Sequence, residues 1–268
     1  MPMSIDIQKV TANGAQIEYF KYGEGKRTLI VLPGLAVKSV LLYKDMVADA
    51  LGLFGEGFEV YVFDRRLNLP DSYSVEDMAK DYIAAFEALG LKDVAIYGIS
   101  QGGMIALTLT LLRPDLVSAL VLGSTSARVS EASQPVIKEW NALASAKDEK
   151  SLIDSFIKYV YSPAFVDQFG PMIADSLKGI TDEEFKRLSI LTGKMNEYDV
   201  YSKLGEIECP SLILCGDEDA VLGKTATTEL SAIKGSELFV FKGFGHAVYD
   251  ENPEFKERAN EFLVKTLL

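Results

Sequence analysis

The chain has 268 residues, of which 48% are hydrophobic and 25% are charged. This composition excludes a disordered chain, a collagen-like chain and a disulfide-stabilised scaffold. The 27 Lys and Arg residues against 39 Asp and Glu residues give a net charge of −12, with no long basic run. Because an acidic surface repels phosphate groups, we expect neither nucleic acid nor an anionic membrane as a partner.

The predicted elements begin with two strands, at 4–10 and 16–22, on either side of the turn signal Asn13-Gly14. Strands and helices then alternate as far as residue 122. We expect the strands at 27–32, 58–63, 94–97 and 116–122, and the helices at 40–51, 74–89 and 101–112. This alternation predicts an α/β fold with a mostly parallel central sheet that helices cover on both faces.

The second half of the chain interrupts the alternation. Residues 126–203 have helical periodicity and no convincing strand, whereas strand signals return at 212–214 and 237–241. Helices are expected at 225–234 and 253–268. We therefore predict a core formed by residues 1–123 and 204–268, with a helical cap inserted at 124–203.

Neither the cysteines nor the apolar segments indicate an exported or membrane protein. Cys209 and Cys215 fall in one predicted strand, where their Cα atoms would be roughly 20 Å apart, so we expect free thiols in a reducing compartment. Residues 94–112 carry no charge, but polar and glycine residues interrupt them. We expect a cytoplasmic protein without a membrane span.

Residues 98–102 read Gly-Ile-Ser-Gln-Gly, a G-x-S-x-G motif between a predicted strand and a predicted helix. This is the context of a nucleophile elbow, in which a sharp turn exposes a serine at the end of the sheet. The turn strains Ser100 and leaves no room for side chains at Gly98 and Gly102. We interpret Ser100 as a nucleophile; the alternative is a glycine-rich turn with an incidental serine.

His246 is the only histidine of the chain, which excludes a metal site built from several histidines. If Ser100 needs an imidazole base, only this residue is available. It follows a predicted strand and a short loop, so it is expected at the same edge of the sheet as Ser100. The alternative is a surface or capping histidine.

A third group should orient the imidazole and stabilise its charged form. Asp217, Glu218 and Asp219 follow the strand that ends near Gly216, and so reach the same edge. We favour Asp219 because it stands at the far end of the loop, just before an apolar run, and Asp217 is the second choice. A solvated acidic loop is the alternative for all three.

An oxyanion hole needs two backbone N–H groups. We assign one to Gln101, the first residue of the helix after Ser100. The other is expected at Leu35, in the loop after the strand that ends at Leu32, where Gly34 permits a tight turn.

Together these segments resemble the α/β-hydrolase superfamily, in its small single-chain branch with a helical cap. The resemblance covers nearly the whole chain. It rests on Leu32-Pro33-Gly34, on Gly98 to Gly103, on Gly216-x-x-Asp219, and on Gly245-His246 with Glu251-Asn-Pro253-Glu254 behind it. It implies that Ser100, Asp219 and His246 are catalytic, that Leu35 and Gln101 supply the oxyanion amides, and that no cofactor or metal is needed.

The chain departs from the family pattern after Asp64, where the family often has Arg-Gly-x-Gly-x-Ser and this chain has Arg65-Arg66-Leu67. Arg65 or Arg66 could bind a carboxylate of the substrate, although a structural ion pair with nearby acids is the favoured interpretation. Among the aromatic residues of the insertion, we name Trp140 as a possible substrate contact in an apolar lid over Ser100.

These residues predict a serine hydrolase that cleaves a small carboxylic ester, a lactone or a thioester through an acyl-enzyme. The same triad also supports carbon–carbon bond hydrolases, lyases and acyltransferases, so the fold alone does not choose among them. A non-catalytic protein that binds a small molecule is a further alternative. The expected partner is a small acyl substrate, and the sequence does not decide between a monomer and a homodimer.

Overall fold

The computed structural model describes residues 5–223 and 226–268. Within these residues the chain forms one sheet of eight strands in the order β1-β2-β4-β3-β5-β6-β7-β8. The strands are β1 (Gln8–Ala12), β2 (Ala15–Tyr22), β3 (Arg27–Leu32), β4 (Phe58–Phe63), β5 (Val94–Ile99), β6 (Val117–Gly123), β7 (Ser211–Gly216) and β8 (Glu237–Phe241). Strand β2 is antiparallel to β1 and β4, and all other pairs are parallel. The predicted mostly parallel sheet is confirmed.

Nine α-helices lie within the described residues. They are α1 (Lys44–Ala50), α2 (Val75–Leu89), α3 (Gln101–Leu112), α4 (Ser133–Ala146), α5 (Glu149–Val160), α6 (Pro163–Leu177), α7 (Asp182–Gly193), α8 (Val248–Glu251) and α9 (Pro253–Leu267). Helix α2 begins where predicted, because Ser74 and Asp77 form a capping box. None of these helices is long and apolar enough to cross a membrane.

Three predicted elements differ from the structure. The first strand begins at Gln8, and residue 4 lies outside the described residues. The predicted helix 40–51 divides into a 3₁₀ turn at Val40–Tyr43 and helix α1. The predicted helix 225–234 is wrong: residue 225 lies outside the described residues, and the rest contains only a 3₁₀ turn at Thr228–Ala232. Its buried residues Leu230 and Ile233 are three positions apart, which suits 3₁₀ geometry.

The sheet divides the apolar core into two layers. Alternate residues of β5 show this arrangement, because Val94 and Ile96 pack on the side of α2 and α3, whereas Ala95 and Tyr97 pack on the side of α1 and α9. Helix α3 is buried on almost every side. A helix enclosed in this way holds its first residue in a constant position at the edge of the sheet.

Helices α4 to α7 lie between β6 and β7 in the chain and are joined to the sheet by polar contacts. Arg187 of α7 forms an ion pair with Asp64 at 2.5 Å and donates to the carbonyl oxygen of Ala36 at 3.3 Å. Both side chains of the ion pair are largely buried. Removing one partner of such a pair costs about 3–5 kcal/mol, so this contact holds the inserted helices over the ends of β3 and β4.

Candidate active site

Ser100 lies in the sharp turn between β5 and α3. Its backbone has φ 51° and ψ −122°, a conformation that L residues other than glycine rarely adopt. The amide of Ser100 donates to the carbonyl oxygen of Gly123 at 2.9 Å, and its own carbonyl oxygen accepts from the hydroxyl of Thr125 at 2.6 Å. These contacts hold the strained conformation that the sequence motif predicts.

Two glycines make this turn possible. A Cβ atom on Gly102 would lie 1.9 Å from the carbonyl oxygen of Leu32, and a Cβ atom on Gly98 would lie 2.8 Å from the carbonyl oxygen of Gly102. Both distances are far below van der Waals contact. The requirement for glycine at positions 98 and 102, inferred from the motif, therefore has a direct steric cause.

The structure brings Ser100, His246 and Asp219 together. Nε2 of His246 lies 3.0 Å from Oγ of Ser100, and Nδ1 of His246 lies 2.7 Å from Oδ2 of Asp219. The imidazole and the carboxylate are both almost completely buried. This chain of hydrogen bonds, with a hydroxyl at one end and a buried carboxylate at the other, is the arrangement that activates a serine for nucleophilic attack.

The two candidate acids point in different directions. Oδ1 of Asp219 accepts the amides of Val221 and Leu222, both at 2.9 Å, which leaves Oδ2 directed at His246. Oδ1 of Asp217 instead accepts the amide of Gly243 at 2.7 Å, and this hydrogen bond holds the pKa of that carboxyl below its usual value. The loop geometry thus agrees with the choice of Asp219 over Asp217.

The chain matches the model of the alpha/beta hydrolase family over residues 29–256. This match covers most of the chain and includes all three residues of the hydrogen-bonded chain. The protein belongs to the alpha/beta hydrolase family.

Three similar proteins illustrate the relationship. A serine hydrolase of Mus musculus is 25% identical over 95% of this chain and 85% of its own length. The α/β hydrolase MGS-M2 from a deep-sea metagenome library has a TM-score of 0.86 at 22% identity, covering 97% of this chain and 98% of its own. The enol-lactonase of Burkholderia xenovorans has a TM-score of 0.82 at 19% identity, covering 96% of this chain and its own chain completely.

In this α/β hydrolase the two segments that carry the predicted oxyanion amides lie beside Ser100. A Cβ atom on Gly34 would lie 3.2 Å from Cβ of Ser100, so the loop after β3 packs directly against the serine, and Leu35 lines the pocket there. The amide of Gln101 is the first of helix α3 and has no partner within the helix. The positions of Leu35 and Gln101 are compatible with the predicted role, which stays a prediction.

Arg65 joins the two segments that carry these amides. Its guanidinium donates to the carbonyl oxygen of Pro33 at 2.8 Å and to Oε1 of Gln101 at 3.0 Å, and its side chain is buried. The amide nitrogen of the Gln101 side chain in turn donates to the carbonyl oxygen of Leu191 in α7. The sequence indicated an arginine near the site, but not that it would hold the loop after β3 to the start of α3.

Arg66 corrects a sequence-based expectation, because it does not line the pocket. Its guanidinium pairs with Asp81 at 3.2 Å and donates to the carbonyl oxygen of Gly14 at 3.1 Å. Asn68 bonds the same hairpin, donating to the carbonyl oxygen of Gly14 at 2.7 Å. The loop that has leucines where the family often has glycines is therefore bound to the β1–β2 hairpin, and the structural ion pair is the interpretation that agrees with the structure.

A pocket of about 440 Å³ opens in front of Ser100 and His246. Its walls are mainly apolar and come from the loop after β3, from α1, and from the inserted helices. Trp140 lines it, stacked on Phe156 at 4.2 Å between ring centroids, and the Nε1 atom of Trp140 donates to Oγ of Ser155 at 3.1 Å. Trp140 therefore lies where a substrate contact was expected, with its ring held in place by this stacking.

We expect Gly102→Ala to lower the free energy of unfolding by about 3 kcal/mol or more, because the new methyl group would overlap the carbonyl of Leu32. Urea unfolding followed by circular dichroism measures the change. Gly52→Ala is the matched control: a Cβ atom there has no neighbour within 4 Å, and the expected change is within about 0.5 kcal/mol. Equal stability of the two variants would contradict the close approach at the elbow.

Proposed function

We propose that this α/β hydrolase is a serine hydrolase that cleaves a small carboxylic ester, or a related lactone or thioester, through an acyl-enzyme. The observation that carries the proposal is the continuous hydrogen-bonded chain from Ser100 through His246 to Asp219. The strained elbow and the apolar pocket at its mouth support the same activity.

In the proposed mechanism the carboxylate of Asp219 accepts a hydrogen bond from the Nδ1–H group of His246, which leaves Nε2 unprotonated and free to take the hydroxyl proton of Ser100. The serine oxygen attacks the carbonyl carbon of the ester. His246 then donates this proton to the leaving alcohol, and the acyl group stays on Ser100. In the second step His246 takes a proton from a water molecule as that water attacks the acyl carbon. The bond to the Ser100 oxygen then breaks, His246 returns the proton to this oxygen, and the acid is released.

The negative charge that develops on the carbonyl oxygen would be stabilised by the amides of Leu35 and Gln101. Removing one donor of such a pair typically costs about 2.7–4 kcal/mol of transition-state stabilisation. Arg65 would contribute indirectly, because it keeps the two donor segments at a constant separation.

The apolar walls of the pocket favour an uncharged acyl or alcohol group. The names of the similar proteins are compatible with this class, since one is called a serine hydrolase and another an enol-lactonase. A panel of p-nitrophenyl esters of increasing chain length, with lactones and thioesters beside them, would identify the preferred bond.

We expect Ser100→Ala to lower the rate of hydrolysis of p-nitrophenyl butyrate by about 10³-fold or more, since the nucleophile is lost. A fluorophosphonate probe should label wild type at Ser100 and leave the variant unlabelled. Ser118→Ala is the control. Ser118 lies on β6, the strand after α3, and its hydroxyl donates to the carbonyl oxygen of Asp93. If Ser100→Ala kept more than a tenth of the wild-type activity, the assignment of Ser100 as the nucleophile would be refuted. If the wild-type protein neither reacted with the probe nor hydrolysed any ester, a non-catalytic binding protein would be favoured.

Asp219→Asn should lower the same rate by about 10³- to 10⁴-fold, because the amide favours the wrong histidine tautomer and does not stabilise the imidazolium. Asp217→Asn is the matched control in the same loop, and we expect its rate to stay within about threefold of wild type because its carboxylate faces Gly243. Steady-state kinetics at neutral pH distinguish the two. A larger loss in Asp217→Asn would show that the acid had been chosen wrongly, without affecting Ser100 or His246.

A further inference from the structure

A second group of polar side chains lines the pocket that contains Ser100. These side chains come from the end of β5, the residue after α5, and helices α8 and α9, and they are Tyr97, Tyr161, Tyr249, Asp250 and Lys256. None of them takes part in the proposed reaction. Polar groups that converge from several elements on one part of a mainly apolar pocket are typical of a recognition site.

Within the part of the chain that the structure describes, these side chains have no hydrogen-bonding partner. Among residues 5–223 and 226–268, their polar atoms form no side-chain hydrogen bond or ion pair with one another or with other residues. Tyr97 is the most informative of them, because it is only 3% exposed and its ring packs against Phe54 and Phe255. The described atoms do not enclose its hydroxyl completely, so the hydroxyl is open to the pocket, where a bound ligand can form a hydrogen bond with it.

The members of this cluster meet around Phe255 of α9. The ring centroids of Tyr97 and Tyr249 lie 6.4 and 6.3 Å from that of Phe255, Asp250 follows Tyr249 in α8, and Lys256 follows Phe255 in α9. Burial raises the pKa of Tyr97, and the negative charge of Asp250 raises it further. Asp250 is an exposed residue that also lines the pocket, and desolvation by the neighbouring protein raises the pKa of its carboxyl to about 6. The positive charge of Lys256 opposes that rise, and the charge of Glu251 adds to it.

The chemistry of these groups selects one kind of ligand. A ligand carrying a positive charge would be attracted by Asp250 but repelled by Lys256, and for a negative charge the effects are reversed. A hydroxyl group meets neither repulsion, because it donates to a carboxylate and accepts from an ammonium group or a phenol at the same time. Hydrogen bonds to charged partners are also about twice as strong as those between neutral groups.

We propose that Tyr97, Asp250 and Lys256 form a polar subsite that binds a hydroxyl group of the substrate, remote from the bond that is cleaved. The preferred substrate is then an ester in which an apolar chain separates the scissile carbonyl from a hydroxyl. This proposal rests on the proposed function, since it names the substrate class of the same pocket.

Two series of matched substrates test the proposal. In the first, p-nitrophenyl esters of ω-hydroxy acids from hexanoate to octanoate are compared with the unsubstituted esters, which places the hydroxyl on the acyl side. In the second, octanediol monoacetate is compared with octyl acetate, which places it on the alcohol side. We expect wild type to prefer the hydroxylated substrate in one series by about 10-fold or more in kcat/KM.

The variants Tyr97→Phe and Asp250→Ala should each reduce this preference to a ratio near one. Tyr97→Phe removes only the hydroxyl and keeps the buried ring, so loss of packing is not an explanation for its effect. Asp49→Ala is the matched control, because Asp49 is an exposed carboxylate on α1 that does not line the pocket, and it should keep the wild-type ratio. Equal rates for both substrates in both series, or a preference that neither variant changes, would overturn the proposal.

Two further measurements, one of binding and one of substrate preference, distinguish a failure of the proposed subsite from a failure of the proposed reaction. Ligand-observed NMR should show that Ser100→Ala protein binds octanediol more tightly than octanol, and that adding Asp250→Ala removes the difference. A protein that hydrolyses plain esters without this difference would disprove the subsite and leave the proposed function intact. Preferential binding of the diol without any hydrolysis would disprove the proposed function and leave the subsite intact. A stronger preference for an ω-ammonium substrate than for an ω-hydroxyl substrate would overturn the assignment of a hydroxyl.

Discussion

The close approach between the backbone at Gly102 and the carbonyl of Leu32 is the constraint on which the site depends. Because helix α3 begins against the end of β3, the chain between β5 and α3 has to turn within one residue, and Ser100 takes the strained conformation. The same approach places the first amides of α3 beside the loop after β3. A strained residue persists only where its surroundings determine its conformation, and here the buried helix and the sheet provide them.

Polar contacts extend this constraint from the elbow to the inserted helices. Arg65 bonds Pro33 and Gln101, and the Gln101 side chain reaches Leu191 of α7. Arg187 of the same helix pairs with Asp64. Because these groups are largely buried, each is costly to leave unpaired. The network therefore holds helix α7 in a constant position relative to Ser100. A pocket whose walls are held in this way can present separate apolar and polar regions to one substrate.

Patterns within short segments of the sequence predicted much of the fold and of the site. The alternation of strands and helices predicted the sheet, and the glycine spacing around Ser100 predicted the elbow, because both depend on backbone sterics that adjacent residues control. The prediction was wrong for the short segment 225–234. Its few apolar residues fit a helical spacing, but its described part forms only a 3₁₀ turn. The expectation that Arg66 could bind substrate also did not agree with the structure, since the β1–β2 hairpin and Asp81 bind its guanidinium.

The sequence by itself determined the order of the elements, the position of the elbow, and the single imidazole available to Ser100. It favoured Asp219 over Asp217 and Glu218, but only the tertiary structure shows which carboxylate faces His246, because the direction of a carboxylate depends on which amides and cations surround it. The contacts of Arg65 and the presence of Tyr97 and Asp250 in one pocket were likewise decided by the tertiary structure. Residues far apart in the chain carry no mutual signal in one sequence, and only the fold brings the end of β5, α8 and α9 to one pocket.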